Sequence, residues 1–148
     1  MKNATRFTAI LAGVILFAGT FMPTDVPALW LQEDWKIGSG LFAASFILAQ
    51  WALTLGRMVF QTTGTRWQRW VKVHKWLGLF LPLALLAHAL TLGYGLLAIL
   101  PLTLLGATWL GAGLGASPNP KSLRIHIILS AMTLAMMLVH IYVTTFYN

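Results

Sequence analysis

The stretches that decide the fold are RWVKVHKWLGLFLPLALLAHAL at residues 69–90 and SLRIHIILSAMTLAMMLVHIY at residues 122–142. Each carries two histidines fourteen positions apart, His74 with His88 and His126 with His140, and the chain has no other histidine. Fourteen steps return an α-helix to within about 40° of its starting direction, with a rise of about 21 Å. Each pair therefore lies on one face of one helix. Two such helices side by side would place one His–His pair near each membrane surface.

The composition is that of an integral membrane protein. Hydrophobic residues make up 58% of the chain and charged residues 9%, whereas a soluble domain carries about 25% charged residues. Long apolar runs predict membrane helices rather than the alternating strands of a barrel. The chain has no cysteine, which excludes disulfides, thiolate catalysis, iron–sulfur clusters and covalent heme attachment. Membrane topology explains the net charge of +7 better than binding to nucleic acid does.

We predict an all-α bundle of five transmembrane helices that forms a single domain over residues 1–148. The predicted helices span residues 7–22, 37–60, 71–92, 95–114 and 123–146. All three acidic residues lie in the first connection, and nine of the ten basic residues fall on the opposite side of the membrane, with only Lys36 on the acidic side. The positive-inside rule then places the N-terminus in the cytoplasm and the C-terminus outside. We expect a multi-pass protein of the bacterial inner (plasma) membrane.

The four histidines are the candidate cofactor ligands. Both histidine helices are predicted to run from the cytoplasm to the exterior, so His74 pairs with His126 at the cytoplasmic end and His88 pairs with His140 at the exterior end. Neutral imidazole is a good axial ligand for heme iron, and two imidazoles leave no open position for a substrate. The pattern therefore predicts two stacked hemes b with histidine axial ligands, an arrangement suited to electron transfer. Hydrogen-bonded helix contacts, a metal-ion site and ligation of (bacterio)chlorophyll magnesium remain as alternatives, although ionisable residues inside membranes are usually functional.

Four further residues are candidates for cofactor binding. Gly78 and Ser130 each lie one turn after the first histidine of their helix, where a small residue leaves room for a flat ring. Close helix packing is the alternative for Gly78. Arg57 and Arg124 lie near the predicted cytoplasmic heme and could bind its anionic propionates. Setting the membrane topology is the alternative for both arginines.

The two histidine stretches resemble the ligand helices of ferric-reductase-like transmembrane proteins. In that family a His–x–x–x–Gly start is followed by a second histidine about one bilayer later, and the segment LTLGRMVF at residues 53–60 resembles the end of the preceding helix. The resemblance covers about residues 37–146. The family includes the heme-binding subunits of periplasmic methionine sulfoxide reductase systems and the membrane part of NADPH oxidases. The resemblance implies two hemes b ligated by the four histidines, His74, His88, His126 and His140.

We therefore expect a diheme b-type cytochrome that acts as an electron-transfer component of an oxidoreductase system. A cytoplasmic flavin reductase or a membrane quinol would donate electrons at the inner end, and a redox protein would accept them outside. Large members of the family carry a flavin and nicotinamide domain that this sequence lacks, so we do not expect direct NADPH oxidation. We expect membrane lipid to surround the helices. No residue suggests a catalytic acid, base or nucleophile. The alternative is a non-catalytic or pigment-binding subunit of a larger respiratory or photosynthetic complex.

Overall fold

The computed structural model describes residues 1–21, 32–60, 64–92, 95–114 and 119–146. These residues form five α-helices and, in the ranges described, no strand. The helices are α1 (Lys2–Phe21), α2 (Glu33–Phe60), α3 (Gly64–His88), α4 (Leu96–Gly113) and α5 (Pro120–Phe146). The all-α prediction is confirmed.

Four of these helices, α1, α2, α3 and α5, are long and apolar enough to cross a membrane. The apolar part of α4, Leu97–Gly113, is shorter, and a fifth crossing by this helix stays a prediction. Large apolar side chains cover the outer faces of the long helices. Val14, Leu41 and Leu138 are 60%, 66% and 55% exposed. Such a surface is suited to contact with lipid tails and not with water.

Helix α3 differs from its predicted bounds at both ends. It begins at Gly64, seven residues before the predicted start, because the basic, tryptophan-rich segment contains no proline that would stop a helix. It ends at His88, four residues before the predicted end, although apolar residues continue. The backbone N–H of Leu92 instead donates to Thr20 Oγ1 of α1 at 3.0 Å. The other helices begin and end within five residues of their predicted bounds.

Each histidine helix packs its backbone more closely against other helices than against the other histidine helix. Among the described residues, α2 packs closely on α3, α4 packs closely on α5, and α1 packs against α3 and α4. In the part of the chain that the structure describes, the backbones of α3 and α5 do not pack closely on each other. The buried core includes Leu16 of α1, Ile47 of α2, Leu81 of α3, Leu104 of α4 and Met137 of α5. All five helices therefore share one core.

Candidate cofactor site

The four histidines form two layers between α3 and α5. In the inner layer, at the predicted cytoplasmic end, the ring centres of His74 and His126 are 6.4 Å apart and the ring planes meet at 83°. In the outer layer, the ring centres of His88 and His140 are 6.0 Å apart and the planes meet at 74°. Because residues fourteen positions apart on a helix are separated by about 21 Å, α3 and α5 run in the same direction. The structure brings together the residues that the sequence pairs.

The distance between the rings of each layer is compatible with ligation of one metal by both. A bond from a metal to an imidazole nitrogen is about 2 Å, and the ring centre lies about 1 Å further on, so rings on opposite sides of one metal have centres about 6 Å apart. In the part of the chain that the structure describes, no three His, Cys, Asp or Glu side chains come together. A bare zinc ion needs about three or four protein ligands. Two imidazoles alone suit a metal whose remaining positions are filled by a macrocycle.

Helix α2 holds one imidazole of the outer layer. Ser39 Oγ donates to the carbonyl oxygen of Trp35 at 2.6 Å and lies 3.2 Å from His88 Nδ1. A hydroxyl has a single proton, so Ser39 accepts the hydrogen bond and His88 Nδ1 carries the proton. His88 Nε2 is then left with its lone pair, as a metal ligand requires. At Gly40, an added Cβ would lie 3.0 Å from His88 Cε1, so only a glycine lets the ring lie this close to α2.

Helix α4 holds one imidazole of the inner layer in the same way. His126 Nδ1 lies 2.9 Å from the carbonyl oxygen of Ala107. Because a carbonyl oxygen only accepts, Nδ1 donates and Nε2 keeps its lone pair. An added Cβ at Gly111 would lie 2.8 Å from His126 Cε1. Each layer thus has one histidine whose second nitrogen is hydrogen-bonded to a third helix and whose ring rests on a glycine.

Two buried polar atoms of the site have no hydrogen-bond partner among the residues that the structure describes. One is His140 Nδ1 in the outer layer and the other is Gln50 Oε1. Gln50 belongs to α2, and its amide nitrogen donates to the carbonyl oxygen of His74 at 3.0 Å. A buried polar atom without a partner costs about 1–3 kcal/mol. Such atoms are uncommon in protein interiors and are typical of sites that bind a further group.

Gly78 and Ser130 both contribute to contacts with α2. An added Cβ at Gly78 would lie 3.4 Å from Gln50 Nε2, so this position faces α2 and allows α3 to pack closely on it. Ser130 Oγ donates to the carbonyl oxygen of His126 at 2.8 Å. The carbonyl oxygen of Ser130 accepts a hydrogen bond from Trp51 Nε1 at 3.3 Å. A role for either residue in cofactor binding stays a prediction.

The two candidate arginines are not brought to the histidine layers by the contacts described. The Arg124 side chain is exposed. It precedes His126 by two positions, which is about 200° around a helix, so it leaves α5 on the side opposite to the imidazole. The side chain of Arg57 lies outside the described part of the chain. Propionate binding by these arginines stays a prediction.

The region between the layers is apolar and closely packed. Leu81 and Leu85 of α3 and Met137 of α5 are each less than 8% exposed. Thr133 is also buried, and its hydroxyl lies 3.1 Å from Thr103 Oγ1 of α4. These side chains lie on the histidine faces that the sequence predicts, and both faces point inward.

Sequence reasoning misses the residues that hold the imidazoles, namely Ser39, Gly40, Ala107 and Gly111. It also treats Arg6 only as a topology-setting charge. In the structure the Arg6 guanidinium lies over the ring of Trp109 of α4, 5.0 Å from its centre. In the sequence, each of these positions shows only a small or charged residue within an apolar helix. This pattern does not identify the side chain that the residue contacts.

Comparisons with protein-family models, with curated proteins and with solved structures found no significant match. The resemblance to ferric-reductase-like proteins stays a prediction.

Proposed function

We propose that this chain is a diheme b-type cytochrome of the ferric-reductase-like kind that transfers electrons across a bacterial inner membrane. The observation that supports the proposal is the geometry of the two histidine layers. Each layer has two imidazoles with ring centres 6.4 or 6.0 Å apart, and the layers are separated by about two-thirds of the hydrocarbon thickness. The two layers are too far apart for their histidines to bind one metal ion together.

The chain's own residues would bind, orient and isolate the cofactors. His74 and His126 would hold the inner heme, and His88 and His140 would hold the outer heme. Bound heme supplies a reversible one-electron change at its iron. With two histidines holding each heme, the site would be suited to electron transfer and not to binding a substrate at the metal.

Hydrogen bonds from Nδ1 would orient the imidazoles of His88 and His126 as ligands. The Ser39 hydroxyl and the Ala107 carbonyl oxygen each accept from an Nδ1–H, which fixes the tautomer and the ring orientation. The buried leucine, threonine and methionine side chains between the layers exclude water. This packing keeps solvent away from the path between the two layers.

The proposed topology has five crossings, with the N-terminus in the cytoplasm and the C-terminus outside. It rests on the placement of nine basic residues at one end of the bundle. The electron donor would be a cytoplasmic flavin reductase or a membrane quinol. The acceptor would be a redox protein on the outer side, and the chain could act as the membrane subunit of a larger oxidoreductase system.

The test is a reduced-minus-oxidised visible spectrum of the purified full chain, with tetrapyrrole quantified per polypeptide. We expect a b-type spectrum and two hemes per chain. His140→Ala should reduce this to about one heme per chain, because only the outer layer loses a ligand. Leu138→Ala, at a 55% exposed position two residues away, is the matched control and should keep both hemes.

Three results would contradict the proposal in different ways. A chlorophyll-like spectrum would assign the histidines to pigment magnesium, and a chain purified without any tetrapyrrole would assign them to helix contacts. Retention of two hemes with unchanged spectra in His140→Ala would contradict the pairing of His88 with His140.

A further inference from the structure

An open surface cleft of about 530 Å³ lies beside the end of α2 and the start of α3. It is lined by Phe60 of α2 and by Arg66, Arg69 and Trp70 of α3, and we call it the hairpin cleft. The indole of Trp70 lies across α2, because an added Cβ at Gly56 would be only 2.7 Å from its ring. The aromatic wall is therefore held in place by packing between the two helices.

The two arginines of the hairpin cleft carry charge that no described acidic residue neutralises. Arg66 and Arg69 are exposed and lie three positions apart, on the same side of α3. Among the described residues the acids are Glu33 and Asp34, in the first turn of α2. The cleft is at the other end of this helix of 28 residues, about 42 Å away.

The length of α2 places the hairpin cleft at the membrane surface. A helix of about 42 Å is longer than the hydrocarbon layer of about 30 Å and matches the bilayer with its headgroups, which is about 40–45 Å thick. Phe60 and Trp70 line the same cleft as the two arginines. Aromatic residues favour the membrane interface, and guanidinium groups present paired N–H donors to phosphate oxygens.

We propose that the hairpin cleft binds the phosphate group of an anionic phospholipid. Arg66 and Arg69 would donate to the phosphate oxygens, and Phe60 and Trp70 would contact the glycerol and the first carbons of the acyl chains. Basic pockets between membrane helices commonly bind such headgroups. This assignment uses none of the histidines and does not depend on heme binding.

The test measures lipid retained by the detergent-purified full chain in native mass spectrometry, with equal amounts of phosphatidylglycerol and phosphatidylcholine added. We expect the wild-type chain to retain phosphatidylglycerol preferentially. The double variant R66Q/R69Q should bind it about 25-fold more weakly, since each guanidinium in direct contact with the phosphate contributes about fivefold. The matched control is K72Q/K75Q, which removes the same charge at the same spacing from exposed positions of the same helix and should retain the lipid.

Several outcomes would overturn the assignment. Equal retention of phosphatidylcholine by the wild-type chain would do so without any variant. Equal loss of phosphatidylglycerol in both double variants would show that lipid binding depends on the net charge of the helix and not on the hairpin cleft. A third arm adds inorganic phosphate, and displacement of the lipid by millimolar phosphate would identify a soluble phosphate as the ligand instead.

Discussion

Replacing Gly40 with alanine tests whether α2 positions the imidazole of His88. The new Cβ would lie 3.0 Å from Cε1 and 3.4 Å from Nδ1 of that ring. Carbon atoms in ordinary contact are about 3.5–4.0 Å apart. The ring must therefore move by roughly 0.5 Å, or α2 must move away from α3. Either change alters the hydrogen bond between His88 and Ser39.

Gly38 provides a matched control two residues earlier in the same helix. Among the described residues, an added Cβ there has no neighbouring atom of another helix within 4 Å, so Gly38→Ala should change stability only through helix propensity, a gain of up to about 1 kcal/mol. At Gly40 the same gain is offset by overpacking, which costs about 1–3 kcal/mol. We expect Gly40→Ala to be destabilising by up to about 2 kcal/mol, with a sign opposite to that of the control.

The assay is thermal unfolding of the two variants and the wild-type chain in the same detergent, followed by circular dichroism. We expect a lower Tm for Gly40→Ala and an equal or higher Tm for Gly38→Ala. If the chain binds heme, the spectrum of the outer heme should also change in Gly40→Ala alone. A Tm for Gly40→Ala equal to that of the control would refute the close contact between α2 and His88, whether or not heme is bound.

The remaining predictions concern hydrogen bonds. Ser39→Ala removes the acceptor at 3.2 Å from His88 Nδ1, which makes the imidazole a weaker electron donor. If the outer layer binds heme as proposed, the midpoint potential of that heme should rise by up to about 40 mV, and a redox titration with an unchanged potential would contradict this role of Ser39. Thr20→Val removes the acceptor for the Leu92 N–H, 3.0 Å away, and should lower the free energy of unfolding by about 1 kcal/mol. Thr145→Val is the control, because its exposed hydroxyl bonds only within its own helix, and equal Tm changes in the two threonine variants would argue against the interhelical bond.

The pairing of the histidines could be predicted from the sequence because it depends on two regular quantities. Helical periodicity places His74 with His88, and His126 with His140, on single faces. The charge asymmetry of the connections predicts that both helices run in the same direction, which brings the first histidines to one level and the second histidines to the other. The ends of α3 were predicted less well, because apolar residues continue past His88 and the helix also includes a basic segment before them.

The residues that hold the imidazoles could not be predicted, because their contacts depend on how α2 and α4 are rotated against the histidine helices. In a membrane protein the lipid-facing and the helix-facing sides are both apolar, so hydrophobic periodicity does not fix this rotation. Small residues such as Gly38 and Gly40 look equivalent in the sequence. Only the structure distinguishes Gly40, which lies against the His88 ring, from Gly38, which has no close neighbour among the described residues of the other helices.

The two histidine layers use the same kind of support but take it from different helices. In the outer layer α2 supplies Ser39 and Gly40, and in the inner layer α4 supplies Ala107 and Gly111. A substitution in α2 near Gly40 therefore acts directly on the His88 ring only, whereas the contacts of α2 with the inner layer go through Gln50 to the carbonyl oxygen of His74. If each layer holds a redox centre, this separation allows the potentials of the two centres to differ. A difference in potential sets the direction of electron transfer between them, and the helices that flank α3 and α5 would then determine that direction.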